Sequence, residues 1–251
     1  MASTQMQPKD IAKQRLYIAL DVDSENVAFD IVRECSEYNV VGFKIGLQLF
    51  TVGGPRLVSR IVEQGIPVFL DLKFHDIPNT VAQAAAEATK LGVAMFNVHA
   101  FGGAVMMQRT AEIVESTAAK IGTERPKVIA VTVLTSSDDS TLKDVGVDSD
   151  VESQVIRLTK LSSECGMDGV VASAREASII RSAISDPNFL IVTPGIRPQS
   201  ATNDDQRRVT TPGEAISSGA DCIVVGRPIT AAPDRKLALE QILNEIETAV
   251  K

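Results

Sequence analysis

Eight short apolar runs alternate with longer amphipathic segments along this chain of 251 residues. Continuous apolar runs are typical of strands that are buried on both faces of a parallel sheet. No change in composition divides the chain into two parts. Eight strand–helix units in about 250 residues match one (β/α)8 barrel. The predicted strands cover 16–20, 40–45, 67–73, 94–99, 127–133, 168–172, 189–193 and 221–225.

Helix start signals support the same alternation, since Ser173 and Glu176 have the spacing of a capping box. A doubly wound sheet is the competing fold, but it needs a glycine-rich turn after the first strand, and 21–24 contain no glycine. We therefore predict an α/β fold, a (β/α)8 TIM barrel, as a single catalytic domain over 15–251. A loosely held polar arm at 1–14 is expected to precede it. Predicted helices cover 25–37, part of 55–65, 78–91, 103–118, 151–164 and 233–249, with two more opened by Ser173 and Thr211, while 134–150 is predicted to be irregular.

Charge and cysteine content argue against several classes of function. A net charge of −7 disfavours nucleic-acid binding, although local arginines and lysines can still bind a small anion. We expect neither a signal peptide nor a membrane span, because no apolar run is long enough. The three cysteines, Cys35, Cys165 and Cys222, lack metal-ligand spacing and are expected to be buried thiols. A cytoplasmic location is therefore predicted.

The third predicted strand ends in a group of charged residues. Alternation along a strand places Asp71 and Lys73 on one face, and Asp76 follows where the chain turns. A helix is predicted to begin at Pro78. Charges are rarely buried unless they are paired, so an inward Asp–Lys pair indicates a functional site. The alternative is a structural ion pair, with Asp76 as a helix cap.

A barrel would bring polar residues from several strands to one place, because the carboxyl ends of its strands all face the same mouth. So many charges at one end are hard to explain as packing. We interpret His99 as a structural residue and not as a ligand-binding one. Asn97, on the same strand face, has no assigned role. The polar residues at the strand ends are Asp21, Lys44, Asp71, Lys73, His99, Thr132, Thr135, Arg197, Gly226 and Arg227.

The connection over 194–210 is long, since most βα loops have about 2–6 residues. Its basic content predicts a mobile lid that closes over an anion. The alternative is a solvated surface loop. The polar residues that support a lid are Arg197, Gln206, Arg207 and Arg208.

Gly226 and Arg227 follow the eighth predicted strand. Glycine permits close backbone approach, and the next helical turn directs its N–H groups outward. Phosphate sites in barrels frequently use the loops after strands seven and eight. The long loop and this Gly–Arg pair are therefore predicted to form one phosphate site.

In these motifs the chain resembles the orotidine 5′-phosphate decarboxylase family of the bacterial type. The motifs span about 16 to 230, in the order in which the family has them. The core pattern Asp71-x-Lys73-x-x-Asp76 is shared with related phosphosugar enzymes. The arm and the last helix carry no family motif. The matching segments are 19–22, 42–46, 71–80, 131–136, 193–198, 205–208 and 225–228.

The resemblance implies decarboxylation of orotidine 5′-monophosphate to UMP, the last step of de novo UMP synthesis, with no metal and no cofactor. It implies that Lys73 protonates the carbon that loses the carboxylate, and that Asp71 lies beside that carboxylate. Lys44 and Asp76 would complete an alternating charged array. Asp76 would come from the second subunit of a homodimer.

The resemblance also implies how the substrate is bound. Asp21 and Lys44 would hold the ribose hydroxyls, with Thr80 supplied by the partner subunit, and Asp71 would contact the substrate. Thr135 would lie at the pyrimidine. The phosphate would be held by Gln206, Gly226 and Arg227, with Arg197 near the closing loop.

Two other functions stay open at this point. One is a metal-dependent phosphosugar decarboxylase with the same barrel, which would need further acidic metal ligands. The other is a nucleotide-binding barrel without catalysis, against which the complete set of lysines and aspartates argues. In either case we expect a small-molecule ligand, with neither nucleic acid nor membrane as partner.

Overall fold

Eight parallel strands close into a barrel in chain order, and the last strand pairs with the first. The computed structural model describes residues 7–38, 40–198 and 210–250. The predicted (β/α)8 TIM barrel is confirmed. The strands are β1 (Leu16–Ala19), β2 (Gly42–Gly46), β3 (Val68–Phe74), β4 (Met95–His99), β5 (Lys127–Val131), β6 (Gly169–Val171), β7 (Leu190–Thr193) and β8 (Cys222–Val225).

Helices alternate with these strands. A short 3-10 helix, Ala100–Gly102, follows β4, and the Ser173 capping box is formed as predicted. The helices are α1 (Pro8–Lys13), α2 (Glu25–Ser36), α3 (Leu47–Val62), α4 (Pro78–Lys90), α5 (Gly103–Ile121), α6 (Asp139–Asp144), α7 (Val151–Glu164), α8 (Ala174–Ala183), α9 (Pro212–Ser217), α10 (Arg227–Thr230) and α11 (Arg235–Ala249).

Three segments differ from the expectations. The stretch predicted to be irregular contains α6, where the side chain of Asp138 accepts a hydrogen bond from the N–H of Thr141. Helix α3 begins well before the predicted segment, because a kink at Gly54, with φ +58°, interrupts its pattern. In the N-terminal arm, residues of α1 are not loosely held, since Ala12 is fully buried against the core.

One apolar layer lies inside the ring of strands, and a larger one lies between the strands and the helices. Alternate strand residues such as Tyr17, Phe69, Ile129 and Val224 fill the barrel interior. The residues between them point outward and pack against the helices, forming the larger layer. Interior side chains therefore form an apolar floor below the carboxyl ends of the strands. A charged side chain at those strand ends stays above this floor, at the mouth of the barrel.

Charged residues at the opposite end of the barrel have a structural role. The carboxylate of Asp168, before β6, accepts hydrogen bonds from the Val128 N–H and from Arg125, at 2.7 and 2.6 Å. Asp221, before β8, similarly accepts from the Ile191 N–H and pairs with Arg181. Each aspartate thus links the backbone of a neighbouring strand to an arginine side chain. These two aspartates therefore have a structural role in the fold.

Candidate active site

Asp71 and Lys73 meet at the end of β3, where the Lys73 ammonium lies 2.6 Å from the Asp71 carboxylate. The expectation that their side chains lie together is confirmed, but simple alternation is not the cause. The register with β4 shifts between Leu70 and Phe74, and Lys73 has a left-handed backbone with φ +53°. A bulge therefore redirects Lys73 toward Asp71. Such a conformation is costly for a non-glycine residue and is concentrated at functional sites.

Lys44, on the adjacent strand β2, extends the charged group. Its ammonium lies 2.7 Å from Asp21 and 3.5 Å from Asp71, and its side chain is only 8% exposed. Together with Lys73 these residues form a continuous array of alternating charge, which we call the charged array: Asp21, Lys44, Asp71 and Lys73. Pairing with a carboxylate on each side offsets the free-energy cost of burying the Lys44 side chain.

Asp71 is the central carboxylate of the charged array. Burial by itself raises the pKa of Asp71, but the ammonium groups of Lys44 and Lys73 and hydrogen bonds from Lys73 and Asn97 lower it by more. The net pKa lies below the ordinary aspartate value, so Asp71 is ionised at neutral pH. The array therefore carries two positive and two negative charges before any ligand arrives.

A cavity of about 390 Å³ opens at this end of the barrel. Its size is that of a small-molecule site. Its floor contains interior apolar residues, including Phe69 and Val224. The sequence-predicted site residues that line it are Asp21, Lys44, Asp71, Lys73, Thr135, Arg197, Gly226 and Arg227.

Two predicted site residues do not join them. Asp76 and Thr80 are exposed and are absent from the described lining of the cavity. The Asp76 carboxylate accepts a hydrogen bond from the Ile77 N–H, at 2.6 Å, at the start of α4. Among the described residues of one chain, therefore, the alternating charges end at Lys73.

The predicted lid lies largely outside the described residues, as do Gln206, Arg207 and Arg208. Its two flanks are close together, because Ile196 pairs with Thr210. The Arg197 N–H also donates to the Thr210 carbonyl at 3.1 Å. Arg197 is thereby held at the rim of the cavity, where its side chain is buried.

Two residues near the site had no predicted role. Asn97 on β4 accepts a hydrogen bond from the Lys73 N–H and donates one to Asp71, both at 2.7 Å. Gly46 leaves room for the charged array, since a Cβ there would lie 2.9 Å from the Lys44 ammonium and 3.3 Å from Asp21. The sequence offers only weak signals for them: Gly46 ends β2 two residues after Lys44, and Asn97 is a polar residue inside β4, two residues before His99.

His99 is not among the described residues that line the cavity. Its ring lies 5.4 Å from that of His75. Burial, followed by the nearby His75 and Lys73, lowers the pKa of His99, against the opposing effect of Asp71. A neutral ring at pH 7 agrees with the structural interpretation of His99 from the sequence.

The described parts of the chain contain neither a metal-binding cluster nor a membrane-spanning helix. No three His, Cys, Asp or Glu side chains there are grouped so that they could hold a metal ion. Over the same residues, no helix has both the length and the apolar character needed to cross a membrane. All three cysteines are free and buried, as expected from the sequence.

Comparison with known proteins gives consistent matches over nearly the whole chain. Residues 14–242 match the Orotidine 5'-phosphate decarboxylase / HUMPS family. An orotidine 5'-phosphate decarboxylase of Geobacter sulfurreducens is 52% identical over 238 residues, which cover 95% of this chain and 98% of the relative. The same enzyme of Moorella thermoacetica is 50% identical over 237 residues, 94% and 93% of the two chains.

Solved structures give the same result. The crystal structure of orotidine 5'-phosphate decarboxylase from Lactobacillus acidophilus is similar with a TM-score of 0.81 and 37% identity, over 93% of this chain and 99% of that one. An uncharacterized conserved protein from Geobacillus kaustophilus is similar with a TM-score of 0.79 and 34% identity, over 92% and 99%.

Proposed function

The chain belongs to the Orotidine 5'-phosphate decarboxylase / HUMPS family, and from that membership we propose how its cavity converts orotidine 5′-monophosphate to UMP and carbon dioxide. This carboxy-lyase reaction belongs to pyrimidine biosynthesis. The observation that carries the proposal is the charged array, which lines the same cavity as the basic residues Arg197 and Arg227.

The chemistry requires fixed charges. When the bond to the carboxylate breaks, carbon dioxide leaves and the electron pair stays on a ring carbon, in the plane of the ring, where the ring cannot delocalise it. An ammonium about 4 Å from that carbon gains roughly 4 kcal/mol at an effective dielectric of 20. We assign this role to Lys73, which then donates a proton to the carbon. Because its position is set before the reaction, little reorganisation is required.

Asp71 and Lys44 prepare that charge. The Asp71 carboxylate holds the Lys73 ammonium at 2.6 Å and so fixes its position in the cavity. We also assign Asp71 a place beside the substrate carboxylate, where two like charges would lie close together. Lys44 keeps Asp71 ionised from the other side.

The rest of the cavity supports a nucleotide. We assign Asp21 and Lys44 to the ribose hydroxyls and Thr135 to the pyrimidine. Gly226 lines the cavity and suits close approach by phosphate, because it has no side chain to keep an anion away from the backbone. We assign Gly226, Arg227, Gln206 and Arg197 to the phosphate end, the position that barrels commonly use for this group. Binding energy at the phosphate can align the distant reacting carbon.

We propose that the protein acts as a homodimer in which Asp76 and Thr80 complete the partner's site. Both are exposed beside their own cavity and do not line it. Ile77, next to Asp76 in the chain, is 68% exposed, and Val105, on the helix α5 that packs against α4, is 62% exposed. An exposed apolar patch next to polar residues is typical of an interface.

The proposed reaction needs neither a metal nor a cofactor. Mixing the protein with orotidine 5′-monophosphate should cause the substrate absorbance to fall, and EDTA should leave the rate unchanged. A rate abolished by EDTA would favour the metal-dependent phosphosugar alternative, and binding without loss of absorbance would favour a non-catalytic barrel.

Buried free thiols support a reducing, cytoplasmic location.

A further inference from the structure

Resting on the proposed function, we propose that Asn97 is a positioning residue for the decarboxylation, because its amide fixes the Asp71 carboxylate and the Lys73 backbone relative to each other. Asn97 lies on β4, facing the barrel interior below the cavity. It is 1% exposed, so its amide must find its partners within the protein.

Both ends of the Asn97 amide are used by the charged array. Its Oδ1 accepts a hydrogen bond from the Lys73 N–H, and its Nδ2 donates to Asp71 Oδ1, each at 2.7 Å. The Lys73 ammonium donates to the same Asp71 oxygen at 2.6 Å. One side chain from a neighbouring strand therefore closes a ring with the two residues that would perform the chemistry.

The backbone at Lys73 explains why such a residue is needed. Pairing between β3 and β4 is interrupted between Leu70 and Phe74, so the Lys73 N–H lies where the regular ladder is lost. Its left-handed φ of +53° needs support from its surroundings. The Asn97 oxygen supplies the acceptor that a strand carbonyl would otherwise provide, and so holds the bulge that directs Lys73 toward Asp71.

Among the side chains of this length and shape, only asparagine fits both contacts. Aspartate has no donor for the Asp71 carboxylate and would add a like charge, while leucine has neither a donor nor an acceptor. Asn97 is thus distinguished by its two-sided amide rather than by its size.

A pH readout can separate positioning from simple stabilisation. The groups that face Asp71 are Lys44 from β2, Lys73 from its own strand, and Asn97 and His99 from β4. The Asn97 hydrogen bond is one of the causes that keep the pKa of Asp71 low. Its loss should raise that pKa, so activity that needs the ionised carboxylate should fail at a higher pH.

The test compares Asn97→Ala and the similarly shaped Asn97→Leu with the control Val98→Ala. Val98 is the next residue of β4, fully buried on the opposite face, so its truncation weakens packing without touching the array. We expect both Asn97 variants to lose about ten- to a hundredfold in kcat, with KM changed less than about threefold. The acidic limb of their kcat profile should move to higher pH, while Val98→Ala keeps the wild-type profile.

A second readout does not depend on turnover. With carboxyl-¹³C aspartate, the titration of Asp71 should move to higher pH in both Asn97 variants and stay in place in Val98→Ala. An unmoved Asp71 titration in a folded Asn97 variant would overturn the positioning role, whether or not the wild type is active. Failure of the wild type to consume orotidine 5′-monophosphate would instead refute the proposed function. The titration of Asp71 would then still test whether Asn97 positions that carboxylate.

Discussion

At the scale of single residues, Lys73 combines an uncommon backbone with a paired ammonium. Among the described residues it is the only non-glycine with positive φ. The cost of that conformation, about 1–3 kcal/mol, has to be met by the surrounding structure. Asn97 and Asp71 supply the contacts that do so. The strain therefore marks the residue to which the proposed proton transfer is assigned.

Lys73→Ala should remove turnover while leaving nucleotide binding largely in place. The ammonium stabilises charge that exists only during the reaction, so kcat should fall by about a thousandfold or more. The inhibition constant for UMP should change by less than about tenfold. Steady-state kinetics with UMP as inhibitor measure both quantities, and near-normal turnover would overturn the role given to Lys73.

Arg227→Ala should give the opposite pattern, because Arg227 is assigned to a group far from the breaking bond. Loss of a charge-assisted contact should weaken UMP binding by about 1.5–3 kcal/mol. The same inhibition measurement checks this expectation. An unchanged constant for UMP would argue against a phosphate site at this end of the cavity.

Gly46→Ala should separate catalysis from stability. The added Cβ would crowd the Lys44 ammonium, which is the flexible end of a side chain, so folding should be little affected. Displacing that ammonium from Asp21 and Asp71 should lower kcat by at least about tenfold. Gly213→Ala, whose Cβ would meet α11 instead, is the matched control and should keep wild-type kcat.

At the scale of elements, the two ends of the strands have different roles. Residues that precede the strands, such as Asp168 and Asp221, connect neighbouring strands through backbone N–H groups. Residues at the carboxyl ends face the cavity. The charges that tie neighbouring strands together are thereby kept at the opposite end of the barrel from the charges of the site.

Asp168→Ala should destabilise the protein without changing its kinetics. The substitution leaves the half-buried Arg125 and the Val128 N–H without their shared carboxylate, which should cost about 1–3 kcal/mol. Urea unfolding would measure the loss, and kcat should stay at the wild-type value. Glu87→Ala, which breaks an exposed pair with Lys90, should cost less than about 1 kcal/mol. Equal losses in the two variants would contradict the structural role of Asp168.

At the scale of the whole molecule, one chain holds an incomplete set of the charges that the family resemblance implies. Asp21, Lys44, Asp71 and Lys73 are together, but Asp76 lies outside the cavity of its own chain. A twofold dimer would bring each Asp76 to the other subunit's site, because such an interface uses the same patch on both copies. The exposed Ile77 beside it would then become buried.

Mixing Asp76→Ala protein with Lys73→Ala protein tests this sharing. Each variant alone should be inactive, but a hybrid dimer contains one site with both residues intact. Random exchange makes half of the dimers hybrid, so about a quarter of the wild-type rate should return. Absence of any recovery, with subunit exchange verified by mass spectrometry, would show that Asp76 does not serve the neighbour.

The sequence by itself determined the barrel fold and which residues stand at the carboxyl ends of its strands. Apolar runs and capping boxes are local signals, and strand order follows once eight strand–helix units are counted. Asp21, Lys44, Asp71 and Arg227 could be grouped in advance because strand ends in a barrel all face one way. Even so, α6 and the early start of α3 were missed, since short helices and glycine kinks obscure the period.

Only the tertiary structure decided how those residues are held. The bulge at Lys73, the two-sided amide of Asn97 and the space left by Gly46 depend on which atoms of neighbouring strands face each other. Nothing within a strand specifies that register to a fraction of an ångström. It results from closing all eight strands around one packed interior, because every pair of neighbours constrains the next.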